Sequence, residues 1–422
     1  MLDLEALIGE MQVQAADVVR SARSSLRQRE AATAQVAVAR ALPGLRDAVL
    51  AFARDMAMPA VGRDLGAVAP PPTPENGLLD YTVIATDGSQ VAPDYHHIAP
   101  WAVINAGYAL FRFGPPAGRA RCRLGSVPRL LAPGSAEPTP QDPGIEADSD
   151  ADALAAAGLN SSRLEAQRLV AELDLARKLV MDEGDPGRTV LLLDGPLVQW
   201  RMITALKGVD QEQTVAAFRR FVQTCHEAGV AVAGYISRSR AVEWVTLLRF
   251  SLCPEVQAGR ALCPTCRNGL LAGYAAPAPG AHHAPLAGLR DIELARDLLP
   301  AGGGWRTEII ELRSATWQTI SGGTGTVGFC YLDTGTEIAR VEVPSWTWEH
   351  PERMALLHAA LCDQCESGAG YPLVLAEAHE AAVVRAADRE MFYTVLERLL
   401  GEHGVTTVSR SAKGESKRRP AA

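Results

Sequence analysis

Two short stretches carry most of the chemistry that this chain could perform. Tyr81-Thr-Val-Ile-Ala-Thr-Asp87-Gly88-Ser89-Gln90 and Thr189-Val-Leu-Leu-Leu-Asp194-Gly195-Pro196 share one grammar, an apolar, β-prone run that ends in Asp-Gly. A carboxylate at the end of a core strand, with glycine opening the backbone beside it, can reach a metal ion without a clash. Fully apolar strands flanked by helical segments read as parallel and buried on both faces. Side by side, the two strands would put Asp87 and Asp194 at one sheet edge, where α/β proteins place their chemistry. Either Asp-Gly alone reads as a simple turn; its repetition points to a site.

Further donors fall on the helices around these strands. Ser161 to Met181 is amphipathic and carries Glu165 and Glu172, seven residues apart. They point the same way, separated by about 10 Å along the axis, so only one can enter a compact site. A late helix opened by Tyr371-Pro372 carries His379 among Ala376, Ala378, Ala381 and Ala382, whose small side chains permit close packing on the sheet. Arg238 and Arg240 follow the apolar strand Val230 to Ile236 and, with Ser89, are candidates for holding phosphates.

Two aspartates, a helical glutamate and a histidine suit phosphodiester cleavage. Attack needs a hydroxide at neutral pH and relief of charge on the scissile phosphate, and two divalent ions about 4 Å apart supply both. Oxygen ligands favour magnesium or manganese, and a histidine in the set leans toward manganese.

The elements that must position these groups follow from periodicity and breaks. Residues 1–69 read as an N-terminal helical arm broken at Pro43-Gly44, and residues 70–77 as a Pro-rich linker. Residues 78–405 form the expected catalytic domain, with insertions at about 114–160 and 251–305; residues 406–422 are a basic tail expected to be disordered. Val103 to Phe113 is expected to be the antiparallel neighbour of the first strand. Within the first insertion, Arg119, Arg121, Arg123 and Arg129 read as a solvated loop or a phosphate-contacting cluster.

At this point the chain resembles the NurA nuclease family, from about Tyr81 to the tail. The resemblance rests on Asp87-Gly-Ser89, Leu193-Asp-Gly-Pro-Leu197, Tyr235-Ile-Ser-Arg238, Phe329-Cys-Tyr-Leu332 and Ile338-Ala-Arg-Val-Glu-Val-Pro344, completed by Gly370-Tyr-Pro372 and Ala378-His-Glu380. It implies an α/β, RNase H-like mixed sheet flanked by helices. It also implies manganese-dependent cleavage of DNA as a 5′→3′ exonuclease and single-strand endonuclease. The expected partners are a second copy of the chain and the hexameric ATPase HerA, in DNA-end processing for repair, recombination or defence against phage. By position the resemblance makes Asp87, Asp194 and a helical glutamate metal ligands, Glu172 in first place and Glu165 as the alternative. Tyr371 and His379 complete the site.

Composition narrows the remaining classes. The 422 residues have 47% apolar content, enough for a large core, and a net charge of −8, which argues against a protein that coats nucleic acid. No run of some twenty uncharged apolar residues predicts a membrane span, and a cytoplasmic location is expected. Cys263-Pro-Thr-Cys266 and Cys362-Asp-Gln-Cys365 could close a structural zinc site or be plain reduced thiols. Gly302-Gly-Gly304 lacks the Gly-Lys-Ser/Thr of a phosphate loop, so ATP hydrolysis is not expected. A glycosidase would want aromatic platforms around its acids, and none is visible. The alternative to a nuclease is a non-catalytic RNase H-like adaptor that binds DNA or an ATPase.

Overall fold

The computed structural model of the chain describes residues 3–55, 60–62, 68–71, 80–93, 101–114, 121–131, 161–198, 200–271 and 280–404. Two helices come first, α1 (Leu4–Arg40) and α2 (Leu45–Asp55), parted at Pro43-Gly44. Strands β1 (Ala60–Gly62) and β2 (Val68–Ala69) precede the long strands β3 (Tyr81–Val91), β4 (Ala102–Phe113) and β5 (Arg121–Leu131). Next are α3 (Ser161–Asp182), β6 (Thr189–Asp194), α4 (Trp200–Ala205), α5 (Gly208–Ala228) and β7 (Ala231–Ile236). Four helices follow, α6 (Glu243–Ser251), α7 (Pro254–Gln257), α8 (Pro264–Leu271) and α9 (Asp291–Leu298). They lead to β8 (Arg306–Thr307), β9 (Ile310–Ser314), α10 (Ala315–Ser321) and the hairpin of β10 (Val327–Asp333) and β11 (Ile338–Pro344). The last described helices are α11 (Ser345–Trp348), α12 (Pro351–Ser367), α13 (Leu373–Ala382) and α14 (Ala386–Glu402).

The strands form one mixed sheet. β3, β4 and β5 make an antiparallel meander, and β6 and β7 add in parallel on the other side of β3. This order, β5-β4-β3-β6-β7, is the RNase H-like arrangement. Beyond β7 the sheet continues antiparallel through β11, β10, β9 and β1.

Strict alternation along the central strands divides the core between two faces. Ile84, Leu191 and Val232 point to one face, under α3 and α5. Val83, Ala85, Val190, Leu192, Ala231 and Ala233 point to the other, under α12 and α13. Each Leu or Val buried there contributes roughly 1.5–3 kcal/mol relative to exposure. The same alternation sends Asp87 and Asp194 toward α12 and α13.

The structure corrects two expectations. Asp87 does not end its strand: β3 runs on to Val91, with Asp87 opposite Gly107 and Gly88 opposite Ala106 of β4. The physical reason is the hairpin, because β4 pairs with β3 over its whole length whereas β6 pairs with it only from Thr82 to Thr86. Asp194 does end β6, and Gly195 turns away at φ +99°. Second, residues 121–131 are not loop but β5, so the stretch expected as an insertion supplies the third strand of the meander. Its residues are almost all exposed, so it lacks the apolar alternation that marks a covered strand. Arg121, Arg123 and Arg129 lie on this strand, whereas Arg119, residues 132–160, most of the Pro-rich linker and the basic tail fall outside the described residues.

Two glycines set how close the helices come. A Cβ on Gly107 would sit 2.3 Å from the Ala382 backbone nitrogen and 2.7 Å from the Ala378 carbonyl oxygen, so α13 rests directly on β4. The carbonyl of Ala382 accepts from Asn105 Nδ2 at 2.9 Å and from the Ser89 hydroxyl, which secures the end of that helix. At its other end, the Val374 amide donates to Gln364 Oε1 at 3.0 Å, and Gln364 Nε2 donates to the Tyr81 hydroxyl at 3.0 Å. Gly107→Ala should therefore lift α13 and cost about 1–3 kcal/mol in urea denaturation, as overpacking does. An unchanged midpoint would show that α13 is not seated on β4.

Candidate active site

Asp87 and Asp194 lie on neighbouring parallel strands in the same register, because Thr86 pairs with Leu193 one residue before each. Their side chains therefore leave the sheet on the same side. From that side α13 delivers His379, whose Nδ1 lies 2.7 Å from Asp87 Oδ2. An imidazole tautomer that donates from Nδ1 to this carboxylate leaves Nε2 as a lone-pair donor. The histidine is 63% exposed and Asp87 only 15%, so the imidazole lies at the open side of the carboxylate.

The third carboxylate arrives from the opposite face. Gly88 faces α3, and a Cβ there would lie 2.3 Å from Glu172 Oε1 and 2.7 Å from Arg168 Cγ. The missing side chain is thus the space that Glu172 occupies. Arg168, one turn earlier, stands 3.3 Å from Glu172 Oε1, but its Nη1 donates to the Gly88 carbonyl at 2.9 Å. Glu172 Oε1 is buried and accepts no hydrogen bond. Glu165 points outward and is exposed.

Electrostatics mark these acids as a cluster. The Glu172 carboxyl is pushed up to about 7, first by burial; Arg168 opposes that shift, and Asp87 and Asp194 add to it. Asp194, at the open end of its strand, is also raised by its partial burial, with Tyr371 pulling the other way through a hydrogen bond and Asp87 adding to the rise. Tyr371 is held well above the ordinary phenol range by burial and by Asp194, so it stays protonated and acts as a donor. Its ring meets that of Tyr235 edge-on, with centroids 5.4 Å apart, and this fixes where the hydroxyl points.

A cation fits this set. An orphaned buried carboxylate oxygen, a glycine that makes room for it, and two further aspartates with a histidine are hard donors that repel one another without positive charge. The set is open: among the described residues the only three metal-ligating atoms within 4.8 Å of one another belong to Cys253, Cys263 and Cys266.

The remaining expected residues divide. Arg238 and Arg240 are exposed just past the end of β7, whose Tyr235 pairs with Asp194, and Arg238 takes a left-handed backbone at φ +48°. Ser89 is committed to the end of α13. The four-cysteine zinc site is corrected: Cys362 and Cys365 lie on α12 against the face opposite to that holding Cys253 and Cys266. Burial there pushes the Cys362 thiol up to about 11 and the Cys365 thiol up to about 12. Sequence reasoning missed Arg168, although its four-residue spacing from Glu172 was visible. It also missed Tyr81, Asn105 and Gln364, whose roles depend on long-range packing that leaves no local pattern.

Comparison with known proteins places the chain. The family described as NurA domain matches residues 136–384, well over half of the chain, a range that includes Glu172, Asp194, Tyr371 and His379 and begins after Asp87. The NurA nuclease from Sulfolobus solfataricus shares 13% identity, with 96% of this chain and 98% of that one covered, at a TM-score of 0.49. NurA with manganese shares 9%, covering 79% of this chain and 90% of that one, at 0.35. LC9-RNase H1 shares 11%, covering 40% and 68%, at 0.21. No curated protein matches in sequence.

The raised Glu172 carboxyl gives a pH test. A carboxyl whose folded pKa exceeds its unfolded value of about 4.5 stabilises the fold fully below that pH, and the contribution is lost as pH rises through about 7. In EDTA, the wild-type chain should lose on the order of 3 kcal/mol across that window relative to Glu172→Gln. Asp291, also raised to about 7 by burial, is common to both chains and cancels. A difference that does not change with pH would place Glu172 outside the acidic cluster.

Proposed function

The chain belongs to the NurA family, and on that premise we propose that it is a metal-dependent DNA nuclease. The observation that carries this reading is the meeting at β3 of Asp87, Asp194 and Glu172 from three elements, with His379 on Asp87. In this reading Asp87, Asp194, Glu172 and His379 hold divalent cations, manganese or magnesium and two in number. When bound, such ions supply a hydroxide at neutral pH and positive charge at the scissile phosphate.

The residues do the rest by position. Glu172 brings a negative charge into a site from which Gly88 has removed competing bulk. Tyr371, kept protonated, donates its one hydroxyl proton to Asp194 and so holds that carboxylate in orientation. Arg238 and Arg240, exposed beyond the adjoining strand, are placed to contact the DNA backbone. Following the family resemblance, we infer 5′→3′ exonuclease and single-strand endonuclease activity, a homodimer, a hexameric HerA-type ATPase as partner and a cytoplasmic setting. No helix among the described residues is long and apolar enough to cross a membrane.

The acid set also favours this reading over a non-catalytic adaptor, which has no need of three clustered carboxylates with a buried oxygen that accepts no hydrogen bond. With labelled single-stranded DNA and manganese, Asp87→Asn and Asp194→Asn should each abolish cleavage while leaving the melting temperature equal or higher. Glu172→Gln should be inactive and Glu165→Gln active. His379→Asn should weaken manganese binding more than DNA binding. Cleavage within severalfold of wild type in either aspartate variant would remove that residue from the site; no cleavage by wild type under any divalent metal would favour the adaptor.

A further inference from the structure

The segment between β7 and β8 holds a second constellation, far in chemistry from the acids. Cys253 caps α7, Cys263 immediately precedes α8 and Cys266 lies in its first turn; their three sulfur atoms are within 4.8 Å of one another. We propose that these three cysteines bind a structural zinc ion, with His282 as the fourth ligand.

The geometry is near what zinc requires. Thiolates at the usual zinc–sulfur distance of about 2.3 Å in a tetrahedron lie roughly 3.8 Å apart, so a small contraction closes the trio. The sulfurs are also surrounded by amide donors. The Cys263 amide donates to Cys253 Sγ at 3.5 Å, and the Cys266 amide to Cys263 Sγ at 3.4 Å. The amides of Glu255 and Val256 also face Cys253, and that of His282 faces Cys266. Such donors suit sulfur bound to a cation as thiolate, where they offset the charge that remains on it.

A disulfide would use two of the three sulfurs and leave the third without purpose. Soft thiolates select zinc over manganese or magnesium, which keeps this site distinct from the acid cluster. His283 is not available as a ligand. Its Nδ1 contacts Arg249 at 3.1–3.2 Å and its Nε2 contacts the Cys266 carbonyl at 3.1 Å. His282, whose amide already reaches Cys266, is the exposed histidine beside the trio.

The ion would hold together helices too short to be stable alone: α7 spans 4 residues and α8 spans 8. Those helices belong to the platform on which the N-terminal helices rest. Gln35 Nε2 donates to Ser251 Oγ at 2.9 Å, Gln28 Nε2 donates to the Ala287 carbonyl at 3.1 Å, and Arg29 pairs with Asp297. The zinc site therefore braces the seat of α1.

The test is metal content of the purified full-length chain after EDTA desalting, by mass spectrometry. Wild type, Asp87→Asn, Cys362→Ser and Cys365→Ser should each retain one zinc per chain, whereas Cys253→Ser, Cys263→Ser and Cys266→Ser should lose it. His282→Ala should bind zinc more weakly; unchanged affinity would overturn the place given to this histidine. Because the cysteine variants could misfold, cobalt is also titrated into zinc-stripped wild type, where thiolate-to-cobalt charge-transfer absorption for three sulfurs should appear. Wild type without zinc and without that absorption, zinc that is lost in Asp87→Asn, or a disulfide among the three cysteines overturns the proposal.

Discussion

Everything at the acid cluster depends on how closely two helices can approach one strand pair from opposite faces. Gly88 clears the α3 side of β3 and Gly107 clears the α13 side of β4, next to Asp87. A side chain on Gly88 would displace Glu172, and one on Gly107 would lift the helix that carries His379. The sheet supplies Asp87 and Asp194 by register alone. The third carboxylate and the histidine arrive only because these two positions have no Cβ.

That approach has an electrostatic cost, visible in the raised Glu172 and Asp194 carboxyls. Three carboxylates converge, and Arg168, the cation beside Glu172, gives its hydrogen bond to a backbone carbonyl instead. A second buried charge group shows the contrasting solution. Arg340 lies over the Phe329 ring at 3.9 Å and contacts Glu243 and Glu342 at 3.1 Å, while Asp291 accepts the amides of Trp244 and Val245. There, acids are satisfied by a built-in cation and by a helix N-terminus. Around Glu172 a single arginine at 3.3 Å faces three carboxylates, so the acids outnumber the cation beside them.

Much of this was legible in the sequence, and for identifiable reasons. The apolar runs ending at Asp87 and Asp194 gave the central strands, and helical periodicity gave α3. The alanines around His379 foretold the tight packing of α13. What could not be read was long-range. Gly88 read as a turn residue, yet it makes room for a helix from another part of the chain. The strand at 121–131 lacked an apolar alternation because almost none of it is covered. The cysteine pairs suggested one site across about a hundred residues, whereas the fold puts them on opposite faces of the sheet and joins Cys253 to the first pair.

The central claim, that Asp87, Glu172 and Asp194 form one metal site, is tested most directly by anomalous diffraction from crystals soaked in manganese. The account predicts density within ordinary metal–oxygen bonding distance of all three carboxylates, with His379 at its edge. Anomalous density absent from this site at saturating manganese, or present with Glu172 turned away from it, would contradict the account.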